Sequence, residues 1–204
     1  MIYLDNAATT SLSKKALETF ISVSQEVYGN PSSIHTFGRR ANQVLSQARQ
    51  DIALSLQVQA EQIIFTSGGS EADNLAIKGY ALANQEKGKH LITTAIEHHA
   101  VLHTMEYLEK RFGFEVTYLD VQDNGLVDLD VLKAALRPDT ILVSVMFVNN
   151  EIGVIQPIAE IGEICREKGI RELLDALEQL RKETDVPFEL HLAGGCTDSG
   201  LWAR

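Results

Sequence analysis

A short polar stretch at residues 66–70, Thr-Ser-Gly-Gly-Ser, contains the residue types best suited to hold a ligand. Gly68 and Gly69 can bring bare backbone amides close to a ligand, and the first N–H groups of a following helix lack partners within that helix. A bound phosphate would satisfy those amides, and the Ser70 hydroxyl is able to cap the helix or to donate to a phosphate oxygen. The alternative is a tight turn that leads into a capped helix, because an isolated motif of this kind is weakly specific.

Two other polar segments follow apolar stretches, Glu97-His98-His99 and Asn149-Asn150-Glu151. A histidine at such a position can stack on a flat heteroaromatic ring or exchange protons near neutral pH. His99 and His103 are four residues apart, which places two potential metal ligands on one helix face. A solvated or capping pair is the alternative, since no third ligand lies nearby in sequence. The amide side chains of the second segment can orient a polar ring substituent, and the alternative is a plain turn.

The segments that must position these residues alternate between strand and helix patterns. Strands are predicted at 63–65, 91–94, 115–118 and 141–148, and helices at 70–84, 99–111, 129–136 and 157–168. Strands separated by whole helices need crossover connections, so we expect an α/β fold with a mainly parallel sheet covered by helices on both faces. Ligands of such sheets bind beyond the carboxyl ends of the strands, where the three polar segments should lie.

The residues before position 62 form a second group of predicted elements. The N-terminus begins as a short strand, Ser13 caps a helix, residues 29–33 break the chain, and a long helix follows at 38–56.

Composition narrows the classes of partner. The net charge of −10 and the pI near 5.0 disfavour nucleic acid or an anionic membrane. The longest apolar run, residues 141–148, is interrupted by Ser144 and is too short to span a bilayer. The chain has two cysteines, Cys165 and Cys196, which make no disulfide framework and favour a reducing compartment, so we expect a cytoplasmic protein.

Five motifs, in this order and at this spacing, resemble the cysteine desulfurases of the class V aminotransferase family. They are residues 3–10 (Tyr-Leu-Asp-Asn-Ala-Ala-Thr-Thr), 29–33 (Gly-Asn-Pro-Ser-Ser), 65–74 (Phe-Thr-Ser-Gly-Gly-Ser-Glu-Ala-Asp-Asn), 97–101 (Glu-His-His-Ala-Val) and 148–153 (Val-Asn-Asn-Glu-Ile-Gly). The combination is far more specific than any one motif, and it covers about the first 169 residues.

The resemblance implies a pyridoxal-phosphate enzyme of fold type I that takes sulfur from L-cysteine and delivers it to a sulfur-acceptor protein for iron–sulfur cluster or thio-cofactor assembly. Carried over position by position, Gly69 and Ser70 would bind the cofactor phosphate, His98 would stack on the pyridine ring, and Asn150 would bond its phenolic oxygen. We also expect a homo-oligomer or pairing with a relative, because strands that complete the family's sheet are not found in this sequence and apolar surface on the last strand would stay uncovered.

The family pattern is interrupted after Gly169. Residues 1–169 are therefore expected to form the desulfurase-like region, and residues 170–204 a divergent tail with an amphipathic helix, a short strand and a glycine-rich loop. Asp175 falls on the family's cofactor aspartate without its buried-strand context, and Cys196 only faintly resembles the persulfide cysteine. The Schiff-base lysine motif and the second domain are not found in this sequence, so we expect weak or no activity from the chain alone.

Two other interpretations stay open. One is a non-catalytic protein that pairs with a full-length desulfurase, and the other is a small α/β domain that binds a different phosphorylated ligand at residues 68–70. Cys165, beside Ile161 and Ile164, is predicted to be a buried, inert thiol.

Overall fold

The computed structural model describes residues 2–6 and 8–167, which fall into two compact units that divide between Phe65 and Thr66. The first unit contains helix α1 (Lys14–Glu26), helix α2 (Thr36–Leu56) and a short 3-10 helix (Ala60–Gln62). As predicted, Ser13 caps α1, and its hydroxyl oxygen accepts a hydrogen bond from the Ala16 N–H at 3.2 Å. Helix α2 begins two residues earlier than predicted because the ring of His35 caps it, accepting from the Gly38 N–H at 3.3 Å.

The predicted buried strand at residues 63–65 is wrong. Ile63 has extended backbone angles, but Ile64 is 68% exposed and no described strand pairs with this segment. Arg49 holds it instead: its Nε donates to the Ile63 carbonyl at 3.2 Å, and its guanidinium lies 5.0 Å from the centre of the Phe65 ring. β-Branched residues favour extended backbone, but a strand also needs a neighbouring strand to bond with. The strand predicted at the N-terminus is likewise absent from residues 2–6.

The second unit alternates helices and strands in the predicted order. Its elements are α3 (Gly69–Ala83), β1 (His90–Thr94), α4 (His99–Phe112), β2 (Glu115–Leu119), α5 (Leu129–Ala135), β3 (Thr140–Ser144) and α6 (Ile158–Glu167). Among the described residues the three strands form one sheet in the order β2-β1-β3, and both pairings are parallel. The predicted α/β class and parallel sheet are confirmed.

Helices cover both faces of this sheet, as expected from the sequence. On one face, Leu91 of β1 packs in a cluster with apolar residues of α3 and α4, which include Ile77 and Met105. On the other face, Ile92 packs with α5 and α6 through residues such as Leu132 and Ile161. Successive strand residues point to opposite faces, so a strand covered by helices on both faces has no solvent-exposed side. All five residues of β1 are buried accordingly.

The predicted strand at 141–148 is too long, because β3 ends at Ser144. Val148 instead makes an isolated antiparallel bridge with Ile155, on either side of a turn in which Gly153 has φ 71°. No helix among the described residues combines the length and apolar character needed to cross a membrane.

Candidate functional site

The first candidate segment forms the start of helix α3. Gly68 is the N-cap residue, no side chain caps the helix, and the Ala72 N–H is the first to bond back, to the Gly68 carbonyl at 3.1 Å. The backbone amides of residues 69–71 have no acceptor in the part of the chain that the structure describes. A side chain added at Gly68 would meet nothing within 4 Å, so the space beside this N-cap residue is open. This end of the helix therefore presents unpaired donors to a ligand.

An acidic residue in the first turn of α3 is already engaged by the backbone. The Glu71 carboxylate accepts a hydrogen bond from the Ser67 N–H, and this bond holds the pKa of Glu71 below its usual value. The side chain folds back over residue 67, a favourable place for a negative charge at a helix N-terminus.

Helices α3 and α4 enclose an open depression with a volume of about 410 Å³. Its lining includes Ser70 and His98, which brings two of the four predicted cofactor-binding residues together. The remaining lining residues are Asn74, Lys78, His99, Ala100, His103, Thr104 and Tyr107. The Ser70 hydroxyl has no partner among the described residues, and the Thr104 hydroxyl, in a residue that is 1% exposed, also lacks one there. The depression therefore offers hydrogen-bonding groups that the described protein leaves unused.

His98 is the N-cap of α4. Its ring Nδ1 accepts a hydrogen bond from the Ala100 N–H at 3.1 Å, which fixes the side chain at the rim of the depression. His98 also interacts with Asp73 of α3: burial raises the pKa of Asp73, and the electrostatic interaction with His98 partly opposes that rise.

His99 and His103, the pair with metal-ligand spacing, have stacked rings whose centres are 5.4 Å apart. Among residues 2–6 and 8–167, no group of three or more His, Cys, Asp and Glu side chains is arranged to hold a metal ion.

Asn150 lies apart from the depression in this arrangement. Its side chain is exposed, Nδ2 donates to the Glu151 carboxylate at 3.1 Å, and Asn150 is not among the lining residues.

Two buried polar side chains next to the candidates escaped the sequence reasoning. Glu97 is 8% exposed, and burial raises its pKa to about 7, while bonds from the backbone N–H groups of Met146 and His98 oppose that rise. Asn149 is 5% exposed, and its side chain bonds to the backbone of Ile96, after β1, and of Glu151, after β3. Both residues belong to the family motifs at residues 97–101 and 148–153. Their burial, which the sequence does not show, is what distinguishes them from their exposed neighbours.

Cys165 is buried in α6, as predicted, and burial raises the pKa of its thiol to about 11. Asp175, Cys196 and the predicted tail elements lie outside the described residues.

The chain belongs to the aminotransferase class-V family, whose model matches residues 2–186. It is 53% identical over 193 residues to the cysteine desulfurase IscS of Neisseria meningitidis serogroup C, a match that covers 94% of this chain and 47% of that protein. The IscS of Methanosarcina thermophila is 51% identical over 179 residues, covering 88% of this chain and 44% of the relative. The chain thus spans about half the length of the curated relatives it matches. The family match extends past residue 170, and the boundary predicted there stays a prediction.

Solved structures agree with these relatives. A NifS-like protein superposes with a TM-score of 0.78 at 41% identity, covering 82% of this chain and 46% of the other. SspA in complex with cysteine gives a TM-score of 0.76 at 42% identity, covering 82% of this chain and 48% of that protein. The fold is that of the pyridoxal-phosphate-dependent cysteine desulfurases.

Class-V aminotransferases depend on pyridoxal phosphate, and the donors at the start of α3 suit that cofactor. A phosphate group needs several N–H and O–H donors that no other acceptor already occupies. The free amides of residues 69–71 and the Ser70 hydroxyl supply the donors, while the Glu71 carboxylate is bonded to the Ser67 N–H. On these groups, the site fits the cofactor phosphate.

Proposed function

We propose that this chain carries the phosphate- and ring-binding part of a cysteine desulfurase, an enzyme that takes sulfur from L-cysteine and passes it to a sulfur-acceptor protein. The observation that supports this most is the shared depression, which is lined both by Ser70, beside the uncapped start of α3, and by His98, at the start of α4. The relatives named cysteine desulfurase support the choice of reaction. The two-cysteine composition favours the cytoplasm as its location.

In this proposal each candidate residue has one task. The amide of Gly69 and the amide and hydroxyl of Ser70 would hold the cofactor phosphate, because they are unpaired donors at the positive end of a helix. His98 would pack its flat ring on the pyridine ring, with Nδ1 kept occupied by the Ala100 N–H. Asn150 would donate from its side-chain amide to the phenolic oxygen. When bound, pyridoxal phosphate supplies an electron sink that weakens bonds in an amino-acid substrate.

The phosphate task is tested by Ser70→Ala. Loss of one hydrogen bond should weaken pyridoxal phosphate binding by about 0.5–3 kcal/mol, the range for neutral and charged partners. Equilibrium dialysis measures the affinity, and pyridoxal without its phosphate should bind the parent and Ser70→Ala equally.

A control variant lies at the other end of the same helix. Asn84 is the C-cap residue of α3, and its Nδ2 donates to the Tyr80 carbonyl at 2.9 Å. Asn84→Ala should leave cofactor affinity unchanged. If Ser70→Ala binds as tightly as the parent, the start of α3 is only a turn, and the proposal for these residues fails.

The substrate is tested on the chain loaded with pyridoxal phosphate. L-Cysteine should change the absorbance spectrum of the bound cofactor at lower concentrations than D-cysteine, since the cofactor aldehyde by itself reacts with both enantiomers alike. An identical response to both would argue against a cysteine-specific site.

We also propose that the chain self-associates or pairs with a relative. Helix α1 buries none of its residues and leaves Leu17, Phe20 and Ile21 exposed, at 44%, 65% and 47%. Three large apolar side chains on one short helix are an unusual surface for a monomer. Light scattering should give a molar mass above that of the monomer, and Phe20→Asp should lower this mass. A monomeric parent would refute self-association.

A further inference from the structure

The two loops that carry His98 and Asn150 leave neighbouring parallel strands. β1 ends at Thr94 and β3 at Ser144, and the two strands pair side by side in the sheet. Parallel neighbours end at the same edge, so residues 95–98 and 145–152 both run from that edge. The side chains of His98 and Asn150 are exposed, and within the described part of the chain they bond only to Ala100 and Glu151. Other groups must therefore fix the two loops relative to each other.

Asn149 makes one connection, from the second loop (residues 145–152) to the first loop (residues 95–98). Its Nδ2 donates to the Ile96 carbonyl at 3.0 Å and contacts the Met146 sulfur at 3.3 Å. Its Oδ1 accepts from the N–H groups of Glu151 and Ile152, at 2.9 and 3.0 Å. An asparagine amide has two donors and two acceptor sites, and all four are used here. One buried side chain thus bonds the backbone of Ile96, two residues before His98, and the backbone of Glu151, directly after Asn150.

Glu97 makes the second connection, in the opposite direction. Its carboxylate accepts from the Met146 N–H in the second loop and also interacts with the N–H of His98. Each loop therefore sends one buried polar side chain to the backbone of the other. A buried polar group left without its partner is costly, so the arrangement in which both pairs are complete is strongly preferred.

We propose that Asn149 and Glu97 are positioning residues that reciprocally connect the two strand-end loops and so fix His98 and Asn150 for cofactor binding. The expected effect on cofactor binding rests on the proposed function, but the connection between the two loops exists without a cofactor. Neither side chain lines the depression, so both act through the backbone that they hold.

A matched control exists within the same unit. Gln156 is also a buried amide, 2% exposed, and it also connects two segments: Oε1 accepts from the Val127 N–H at 2.9 Å, and Nε2 donates to the Gly125 carbonyl at 2.8 Å. Its side chain bonds to neither candidate loop. Asn149→Ala and Gln156→Ala should therefore both lower stability, but only Asn149→Ala should weaken pyridoxal phosphate binding. A tenfold loss is expected if the variant holds the binding arrangement only about a tenth of the time.

Glu97 offers a rescue test. Glu97→Ala should weaken cofactor binding as Asn149→Ala does, whereas Glu97→Gln keeps an oxygen that accepts from the Met146 N–H and should lose much less affinity. Equal losses in Asn149→Ala and Gln156→Ala, or equal losses in the two Glu97 variants, would overturn the positioning role.

Hydrogen exchange of the cofactor-free chain separates this inference from the proposed function. Asn149→Ala should speed exchange of the Met146 N–H, which bonds to Glu97, and Glu97→Ala should speed exchange at Glu151 and Ile152. If each variant affects only the amides that its own side chain bonds, the reciprocal connection is wrong. If the parent fails to bind pyridoxal phosphate, the proposed function fails, and the exchange data still decide whether the loops are coupled.

Discussion

Replacing Glu97 with glutamine should change how the stability of the protein depends on pH. Burial raises the pKa of Glu97 to about 7 from an ordinary 4.5; the neighbouring Asp73 carboxyl raises it further, and the N–H groups of Met146 and His98 oppose the rise. The folded chain therefore binds this proton more tightly than the unfolded chain does. Between pH 4.5 and pH 7 the folded state still holds a proton that the unfolded state has lost, so its stability falls as pH rises through this window.

The size of the effect follows from the two pKa values. At about 1.4 kcal/mol per pH unit, the difference corresponds to about 3 kcal/mol of lost stability by about pH 8. Glutamine does not titrate but keeps an acceptor for the Met146 N–H. Glu97→Gln should therefore resemble the parent near pH 4 and become more stable than the parent, by up to about 3 kcal/mol, near pH 8.

Urea unfolding at a series of pH values measures this difference. Groups that do not interact with Glu97, such as His90, titrate alike in both proteins, so subtracting the two curves isolates the titration of Glu97 together with its coupling to Asp73. Glu71→Gln is the control with the opposite sign, because the Ser67 N–H lowers the pKa of Glu71 and its contribution disappears as pH falls. Curves for the parent and Glu97→Gln that stay parallel from about pH 4 to about pH 8 would refute the reasoning.

The remaining predictions concern the two faces of the sheet. Leu91 is fully buried against α3 and α4, so Leu91→Ala should lower the free energy of unfolding by about 2–5 kcal/mol, and a loss below about 1 kcal/mol in urea titration would mean that this face is not packed as described. On the other face, burial raises the pKa of Cys165 to about 11, so in a Cys196→Ala background its thiol should react with Ellman's reagent only on unfolding. Reaction in native buffer at the unfolded rate would show that the thiol is accessible.

Local patterns in the sequence were sufficient to predict most helices. Helix α3 was predicted at 70–84 and lies at Gly69–Ala83, and α4 was predicted at 99–111 and lies at His99–Phe112. Their apolar spacing, the Ser13 cap of α1 and the alternation of strands with helices depend on residues close together in the chain. The parallel sheet was expected from the same alternation, because parallel neighbours need a crossover connection and the helix after each strand supplies one.

Strand limits could not be read in this way. Residues 63–65 have the composition of a strand but find no partner among the described residues, and β3 stops at Ser144 although apolar residues continue to Val148. A strand is defined by bonds to a neighbour, and the neighbour is distant in sequence.

By itself, the sequence determined the family, the α/β class and the candidates Gly69, Ser70, His98 and Asn150, because motifs at fixed spacing carry that information. Only the tertiary structure decided that Ser70 and His98 share a depression and that Asn150 stands apart from it. It also decided that Glu97 and Asn149 are buried between the two loops. Burial raises the pKa of Glu97, and the side-chain amide of Asn149 makes four hydrogen-bonding contacts there. Burial depends on chain segments about 50 residues apart that meet at one edge of the sheet, and no local pattern encodes that meeting.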